Sequence, residues 1–333
     1  MGSIVRLFSI CEKEGVDLSK ITLITFISHK EICDVMGLQY CLYIRTDTFY
    51  HFFQDCLRTK KEVKKARPEW IIDFERCSNA VSIFRQWLAH ASLSKTLSFD
   101  TKVAKDNSTI HLRFDVKSLS FFGMLKKGIE YMPISIPIER KIQQTRNTKK
   151  VLVNINASEL LMARRYPINL FRKVIIQLHE HDRSLEFHFT GSQNEREYVE
   201  KLMKDLNGLG FQLYNQAGSW SISQLAEELS NTALFVTGDS GPLHLAVHLG
   251  TPTVAIWGPT QPSHFGYANN DQLVNTTQSL SCSPCFLHPK SKPTVACGGK
   301  ILCLQQLQPS LIVLNAISLL KKMEQPHDTI STH

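Results

Sequence analysis

Phe235-Val-Thr-Gly-Asp-Ser-Gly-Pro-Leu-His-Leu-Ala-Val-His-Leu-Gly250, running on as Thr251-Pro-Thr-Val-Ala-Ile-Trp-Gly-Pro-Thr260, decides how this chain is read. The apolar run Leu234-Phe-Val-Thr237 has the length of a buried strand, and Gly238 ends it. Asp239-Ser240-Gly241-Pro242 then opens a helix. Asp and Ser are N-cap types, and Pro suits a first turn because its missing N–H has no helical partner there. Thr253-Val-Ala-Ile256 reads as the next strand. Strand, helix and strand in so short a span form one unit of an open α/β sheet, where ligands sit beyond the C-terminal ends of the strands. At the turn after Gly238 the first helical amides are unpaired and the macrodipole is positive, a combination that favours a diphosphate. Taken alone, the turn is also what any capped helix looks like, and His244 what a satisfied helix histidine looks like.

The same alternation extends outward in both directions. Val151-Leu-Val-Asn154 and Leu185-Glu-Phe-His-Phe189 read as strands, with helices over 169–179, 195–207 and 223–230. Upstream, Ile21–Phe26, Cys41–Ile44 and Trp70–Phe74 read as buried strands separated by helical patterns. Two doubly wound α/β domains follow. The first covers residues 1–138, a polar basic linker covers 139–149, and the second covers 150–324, closing on a helix from about Pro309 to Met323; residues 325–333 form a tail. No internal repeat is present.

Composition bounds the function. Thirty-eight Lys and Arg against thirty Asp and Glu leave 333 residues at a net charge of +8, with 43% hydrophobic and 20% charged residues. These are globular values, which exclude a disordered chain, a collagen-like fibre and a disulfide-dense miniprotein. No apolar run reaches the roughly 18 residues of a membrane span. The first residues carry no export signal, because Arg6 breaks the short apolar run Ile4–Cys11. A cytoplasmic protein is expected, and peripheral contact with an acidic inner membrane face fits the charge. The basic residues cluster only at Lys60–Lys65 and Arg140–Lys150 without interleaved aromatics, so no nucleic-acid module is read.

The string from Asp239 resembles glycosyltransferase family nine, the lipopolysaccharide heptosyltransferases. Its elements stand here in order as Asp239-Ser240-Gly241-Pro242-Leu243-His244-Leu245-Ala246, Gly250-Thr251-Pro252 and Gly258-Pro259-Thr260. Asn154-Ile-Asn-Ala-Ser158 looks like the family's strand-end loop, whose small polar groups, here Asn156, Ala157 and Ser158, face the donor phosphates. Arg164-Arg165-Tyr166-Pro167 looks like its Lys-x-Trp-Pro, with Arg164 at the lysine position. Gly191-Ser-Gln-Asn-Glu195 looks like its Gly-x-x-x-Glu, so that Glu195 is expected on the nucleotide ribose. In the first half, Ile71–Asn79 looks like a family strand and the loop after it. The resemblance implies a GT-B fold, two facing Rossmann-like domains, with the donor held by Asn156, Ala157, Ser158, Arg164, Glu195, Asp239, Ser240, Gly241 and His244. It further implies inverting, cofactor-free and metal-independent transfer of a heptose, usually from an ADP-linked donor, to a lipid-linked or envelope saccharide.

One departure bears on catalysis. The family opens with a strand and then a Gly-Asp whose aspartate takes the acceptor's proton, whereas this chain begins Met1-Gly2-Ser3, with the first strand missing and Ser3 at the aspartate's place. A hydroxyl is a poor proton acceptor near neutral pH, and a general base contributes about 10²–10⁴-fold. Three explanations stay open: an upstream start, another base among Asp17, Asp73 and Glu75, or a non-catalytic relative that still binds nucleotide-sugars. Separately, Cys282, Cys285, Cys297 and Cys303 lie within 22 residues. Four thiolates suit a tetrahedral zinc, but the spacing is outside the common zinc-finger forms. A loop of reduced cysteines is the simpler reading.

Overall fold

The computed structural model describes residues 17–38, 40–72, 79–97, 146–157, 159–262, 266–267, 269–283, 297 and 300–324. The chain separates into two compact units, Met1–Tyr131 and Met132–His333.

In the first unit, β1 (Leu23–Phe26) pairs in parallel with β2 (Cys41–Ile44), joined by a short helix α1 (Lys30–Val35). Helix α2 (Phe49–Ala66) leads to β3 (Trp70–Ile72), and α3 (Asn79–Ser92) leads to β4 (Lys95–Leu97), the parallel partner of β3. Thr48 starts α2 as a true cap, its hydroxyl accepting from the His51 N–H at 3.1 Å. The helix stops where Arg67 turns into the left-handed region at φ 47°. Its buried residues are Asp55, Cys56, Thr59 and Val63, a stripe at helical spacing. The buried Asp55 carboxylate accepts from the Arg45 backbone N–H at 2.9 Å and from its Nε at 2.8 Å. The Arg45 side chain, helped by that backbone N–H, holds the carboxyl down at about 2.

The second unit is built on one parallel sheet. Its strands are β5 (Asn147–Asn154), β6 (Glu186–Phe189), β7 (Gln212–Asn215), β8 (Thr232–Gly238), β9 (Thr253–Trp257) and β10 (Leu273–Thr277), and they lie in the order β10-β9-β8-β5-β6-β7. Connecting helices are α4 (Ile168–His181), α5 (Arg196–Lys204), α6 (Ile222–Asn231), α7 (Gly241–His248) and α8 (Leu302–Gln305), and α9 (Pro309–Glu324) follows. Val151, Leu152 and Val153 have no exposed surface, as expected of a central strand covered on both faces. One face carries Val151, Val153, Phe187, Phe189, Val236 and Ile256 against Phe171, Val174 and Leu178 of α4, Val199 and Leu202 of α5, and Ile312, Ala316 and Leu319 of α9. On the other, Leu243 of α7 packs with Ala255, Trp257, Tyr267 and Leu273.

Chain order reverses beside β5: β6 and β7 add on one side, β8, β9 and β10 on the other. The carboxyl ends of β5 and β8 therefore flank a topological switch point, where open α/β sheets bind ligands. Three strands escape the sequence reading. β4, β7 and β10 are short or polar, and β7 alternates exposed and half-buried residues as an edge strand does. β5 also starts earlier than read, its first residues Asn147–Lys149 lying in the basic stretch.

Candidate functional site

Arg164 and Asp239 meet at the switch point. Arg164 closes a short 3₁₀ turn after β5 (Glu159–Arg164), and Asp239 follows the last residue of β8. The guanidinium donates to Asp239 Oδ2 at 2.7 Å and to the Asp239 carbonyl at 3.2 Å. The carboxylate is buried, and its partner nearly so. Next to them, the buried Asn154 amide donates to Ser240 Oγ at 3.1 Å and Thr237 Oγ1 at 3.3 Å. The two hydroxyls are 3.1 Å apart.

This knot changes the expected role of Ser240. It stands at the N-cap of α7, yet its side chain makes no capping bond. Asn154 and Thr237 hold its hydroxyl instead, so the Ser240 side chain leaves the first-turn amides of α7 uncapped. A Cβ added at Gly241 would meet nothing within 4 Å, which places open space in front of that turn. A helix N-terminus without a side-chain cap and facing open space favours an anion, and the Asp239 carboxylate beside it is paired with Arg164.

On the β6 side a second set assembles. Arg165 donates to the Ala157 carbonyl at 3.2 Å and to Glu195 Oε1 at 3.5 Å, and its guanidinium lies 4.6 Å from the centre of the Tyr198 ring. Glu195 Oε2 accepts from the Ser192 N–H at 2.8 Å and from its hydroxyl at 3.0 Å, closing a capping box around the turn Gln193–Glu195. The buried Asn156 amide donates to the Thr190 carbonyl at 3.0 Å, and its Oδ1 is buried without a hydrogen-bond partner. Gly191 is required between them: a Cβ there would lie 2.5 Å from Asn156 Nδ2 and 3.2 Å from Glu195 Oε2.

His244, one turn into α7, lies with its Nδ1 3.0 Å from the Tyr267 hydroxyl. Burial lowers the ring's pKa to about 4, with nearby Asp239 opposing the shift and Arg164 adding to it. The imidazole is therefore neutral near pH 7. Gly258 of the Gly-Pro-Thr element serves packing, since a Cβ there would lie 2.5 Å from Leu304 Cγ of α8.

The structure thus gathers Asn156, Ala157, Arg164, Glu195, Asp239, Ser240, Gly241 and His244 at the carboxyl ends of β5, β6 and β8. Sequence reading missed Asn154 as the hub, Thr237 beneath it, Arg165 as the partner of Glu195, and Tyr267. The paired arginines were a usable signal, because neighbours in a tight turn point apart; nothing in the sequence marks Tyr267. Ser3, Asp73, Glu75, Ser158 and Cys285 lie outside the described residues. Asp17 is exposed, and bonds from the Ser19 hydroxyl and N–H lower its pKa. Cys282 and Cys297 are half-buried and Cys303 packs into the apolar core. Among the described residues no three His, Cys, Asp or Glu side chains gather as a metal site.

The family profile described as "Glycosyltransferase family 9 (heptosyltransferase)" matches residues 73–296. The chain belongs to glycosyltransferase family 9. A curated relative, lipooligosaccharide heptosyltransferase 2 of Campylobacter jejuni, is 27% identical over 229 residues, which is 67% of each chain. Among solved structures, the E. coli ADP-heptose lps heptosyltransferase II aligns over 97% of this chain and 96% of its own, with a TM-score of 0.67 at 13% identity. A family 9 glycosyl transferase from Veillonella parvula aligns over 91% and 88%, with a TM-score of 0.63 at 16% identity. At such identities the likeness is one of fold, and the fold is GT-B. Among the described residues no helix is long and apolar enough to cross a membrane.

Proposed function

We propose that this family 9 glycosyltransferase moves a heptose from a nucleotide-diphosphate donor, with ADP-heptose the donor that fits, to a lipopolysaccharide core or another lipid-linked envelope saccharide at the cytosolic membrane face. The observation that carries the reading is the uncapped start of α7 beside the Arg164–Asp239 pair, at the switch point of the sheet. Relatives named as heptosyltransferases support the sugar and the acceptor class. They give no support to the non-catalytic alternative.

In this reading the donor diphosphate lies against the amides of Ser240 and Gly241. Asp239 would repel it if left bare, and Arg164 neutralises that carboxylate while holding the loop. The acceptor oxygen attacks the anomeric carbon from the face opposite the diphosphate. As that bond forms, the carbon–oxygen bond to phosphate breaks and the electron pair leaves on the diphosphate. The helix start stabilises the charge developing there, with Arg164 keeping the neighbouring carboxylate from opposing it. If the Tyr267 hydroxyl donates to His244 Nδ1, the neutral ring carries its proton on Nε2 and can offer it to a donor oxygen. Asn156 and Ala157 line the phosphates, and Glu195, steadied by Arg165 and Ser192, takes the ribose hydroxyls. No metal or cofactor enters the scheme. The acceptor hydroxyl gives up its proton as the new bond forms, and Asp17, Asp73 and Glu75 are the carboxylates the sequence offers to take it.

Calorimetric titration with ADP and ADP-heptose, beside GDP- and UDP-sugars, tests this without knowledge of the acceptor. Selective binding of the adenine ligands supports it; a folded protein that binds no nucleotide overturns it.

A further inference from the structure

Helix α2 presents two opposed faces. One buries Asp55, Cys56, Thr59 and Val63 within the first unit. Residues three and four apart share a helix face, so Tyr50, Phe53, Leu57, Lys61 and Lys64 form a single stripe on the opposite side. That stripe is open to solvent: Phe49 beside it is 82% exposed, Tyr50 66%, Phe53 52% and Leu57 45%. Phe49 and Phe53 stack on one another at 6.4 Å between ring centres, with 14° between their planes, which makes one flat apolar surface. Lys61, Lys64 and the adjacent Lys65 are exposed as well, and no Asp or Glu falls on the stripe. The outward face is therefore divided along its length, aromatic for about two turns and cationic for the next two.

We infer that this face of α2 is a membrane-docking surface, with Phe49, Tyr50, Phe53 and Leu57 entering the headgroup zone of a bilayer and Lys61, Lys64 and Lys65 pairing with anionic lipid phosphates. Aromatic side chains favour the boundary between hydrocarbon and water. Lysine stems can lie along the apolar surface while their ammonium heads reach the phosphates. Charge selects the occupant. A second copy packed across a two-fold axis would set the lysines against aromatics with no carboxylate on the stripe to pair them, and four apolar side chains fall well short of the roughly 800 Å² per partner of a stable protein interface. An anionic lipid surface complements both halves of the stripe at once.

Cosedimentation with vesicles tests the inference, using phosphatidylcholine alone and an equimolar mixture with phosphatidylglycerol. The full chain is expected to bind the mixed vesicles, to ignore the neutral ones and to be released by raised salt. The triple variant Lys61→Gln, Lys64→Gln, Lys65→Gln is expected to weaken partitioning by roughly a hundredfold. The double variant Phe49→Ser, Phe53→Ser is expected to weaken it by about tenfold or more. Because these side chains are exposed, circular dichroism and the melting temperature should match the parent. Failure to bind anionic vesicles, unchanged binding by both variants, or self-association in the ultracentrifuge that the Phe variant abolishes would each overturn the assignment. The inference shares with the proposed function only the lipid-linked acceptor. Since the assay contains neither donor nor acceptor, its failure leaves the transfer reading standing, and a failed nucleotide titration leaves the vesicle result standing.

Discussion

Arg164 and Arg165 are neighbours in one turn, yet they build opposite halves of the site. Arg164 reaches across the switch point to Asp239 at 2.7 Å, joining β5 to β8. Arg165 turns the other way, to the Ala157 carbonyl and to Glu195 at 3.5 Å, joining β5 to the start of α5. The first contact is short, charge-assisted and closes on a buried carboxylate. The second is long, shares its carboxylate with Ser192 and leans on the Tyr198 ring. Geometry therefore assigns the larger burden to the β8 side, where the diphosphate is proposed, and an adjustable contact to the β6 side, where the ribose is proposed.

The sharpest way to break that contrast is Asp239→Ala. It strands the Arg164 charge in a largely buried place, and removing one partner of a buried pair costs about 3 kcal/mol or more. A urea melt should show a loss of that order. A loss under about 1 kcal/mol would mean the pair is no stronger than a surface contact, and the two halves would then be energetically alike.

Arg164→Ala reads the same pair through ligand affinity. It removes a charged hydrogen-bond donor, worth about 2 kcal/mol, and leaves Asp239 bare beside the diphosphate. ADP affinity by calorimetry is expected to fall roughly thirtyfold. Arg164→Lys should recover part of the loss, since it keeps the charge but not the fork that spans carboxylate and carbonyl. Unchanged affinity in Arg164→Ala would remove this residue from the site.

His244 extends the comparison along pH. Its folded pKa of about 4 lies below the ordinary histidine value near 6.5, because burial disfavours the charged ring. Below about pH 6.5 the unfolded chain takes up a proton that the folded chain refuses until about pH 4. Stability from this group is thus fully present above pH 6.5 and is lost as pH falls toward 4, by about 1–2 kcal/mol after allowance for partial solvent access. His244→Gln should flatten that part of the stability profile. A slope that survives the substitution belongs to another group.

The contrast also shows what a sequence can carry. The β8–α7 half was legible because its signals are local: strand, glycine, cap residues and proline fall within a dozen positions, and the resemblance adds order to them. Local reading offered Asp239 or Ser240 as the cap; Ser240 takes the N-cap position, but its hydroxyl is held by Asn154, which lies 86 positions away. Arg164 was singled out by its motif, but its pairing with Asp239 spans 75 positions and has no periodicity to betray it. Polar edge strands such as β7 and β10 were missed for a related reason: with few buried side chains, their hydrogen-bonding neighbours decide them more than their own composition. The Gly191 loop was read as a ligand element, and the structure adds that two side chains close over the glycine from outside its own segment and within it.

The smallest expected effect is the most discriminating. Arg165→Ala should cost about 1 kcal/mol of stability, because its contact with Glu195 is long and Ser192 still holds the carboxylate. Its effect on donor binding should be confined to the sugar side of the nucleotide: ADP affinity a fewfold lower, inorganic diphosphate affinity unchanged. Arg164→Ala should lower both. Arg165→Lys is expected to restore little, because the parent guanidinium serves a carbonyl, a carboxylate and an aromatic face together, and a single ammonium cannot span all three. If Arg165→Ala instead weakens ADP and diphosphate alike, the two arginines act as one cation patch. The division of the site into a phosphate half and a ribose half would then have to be given up.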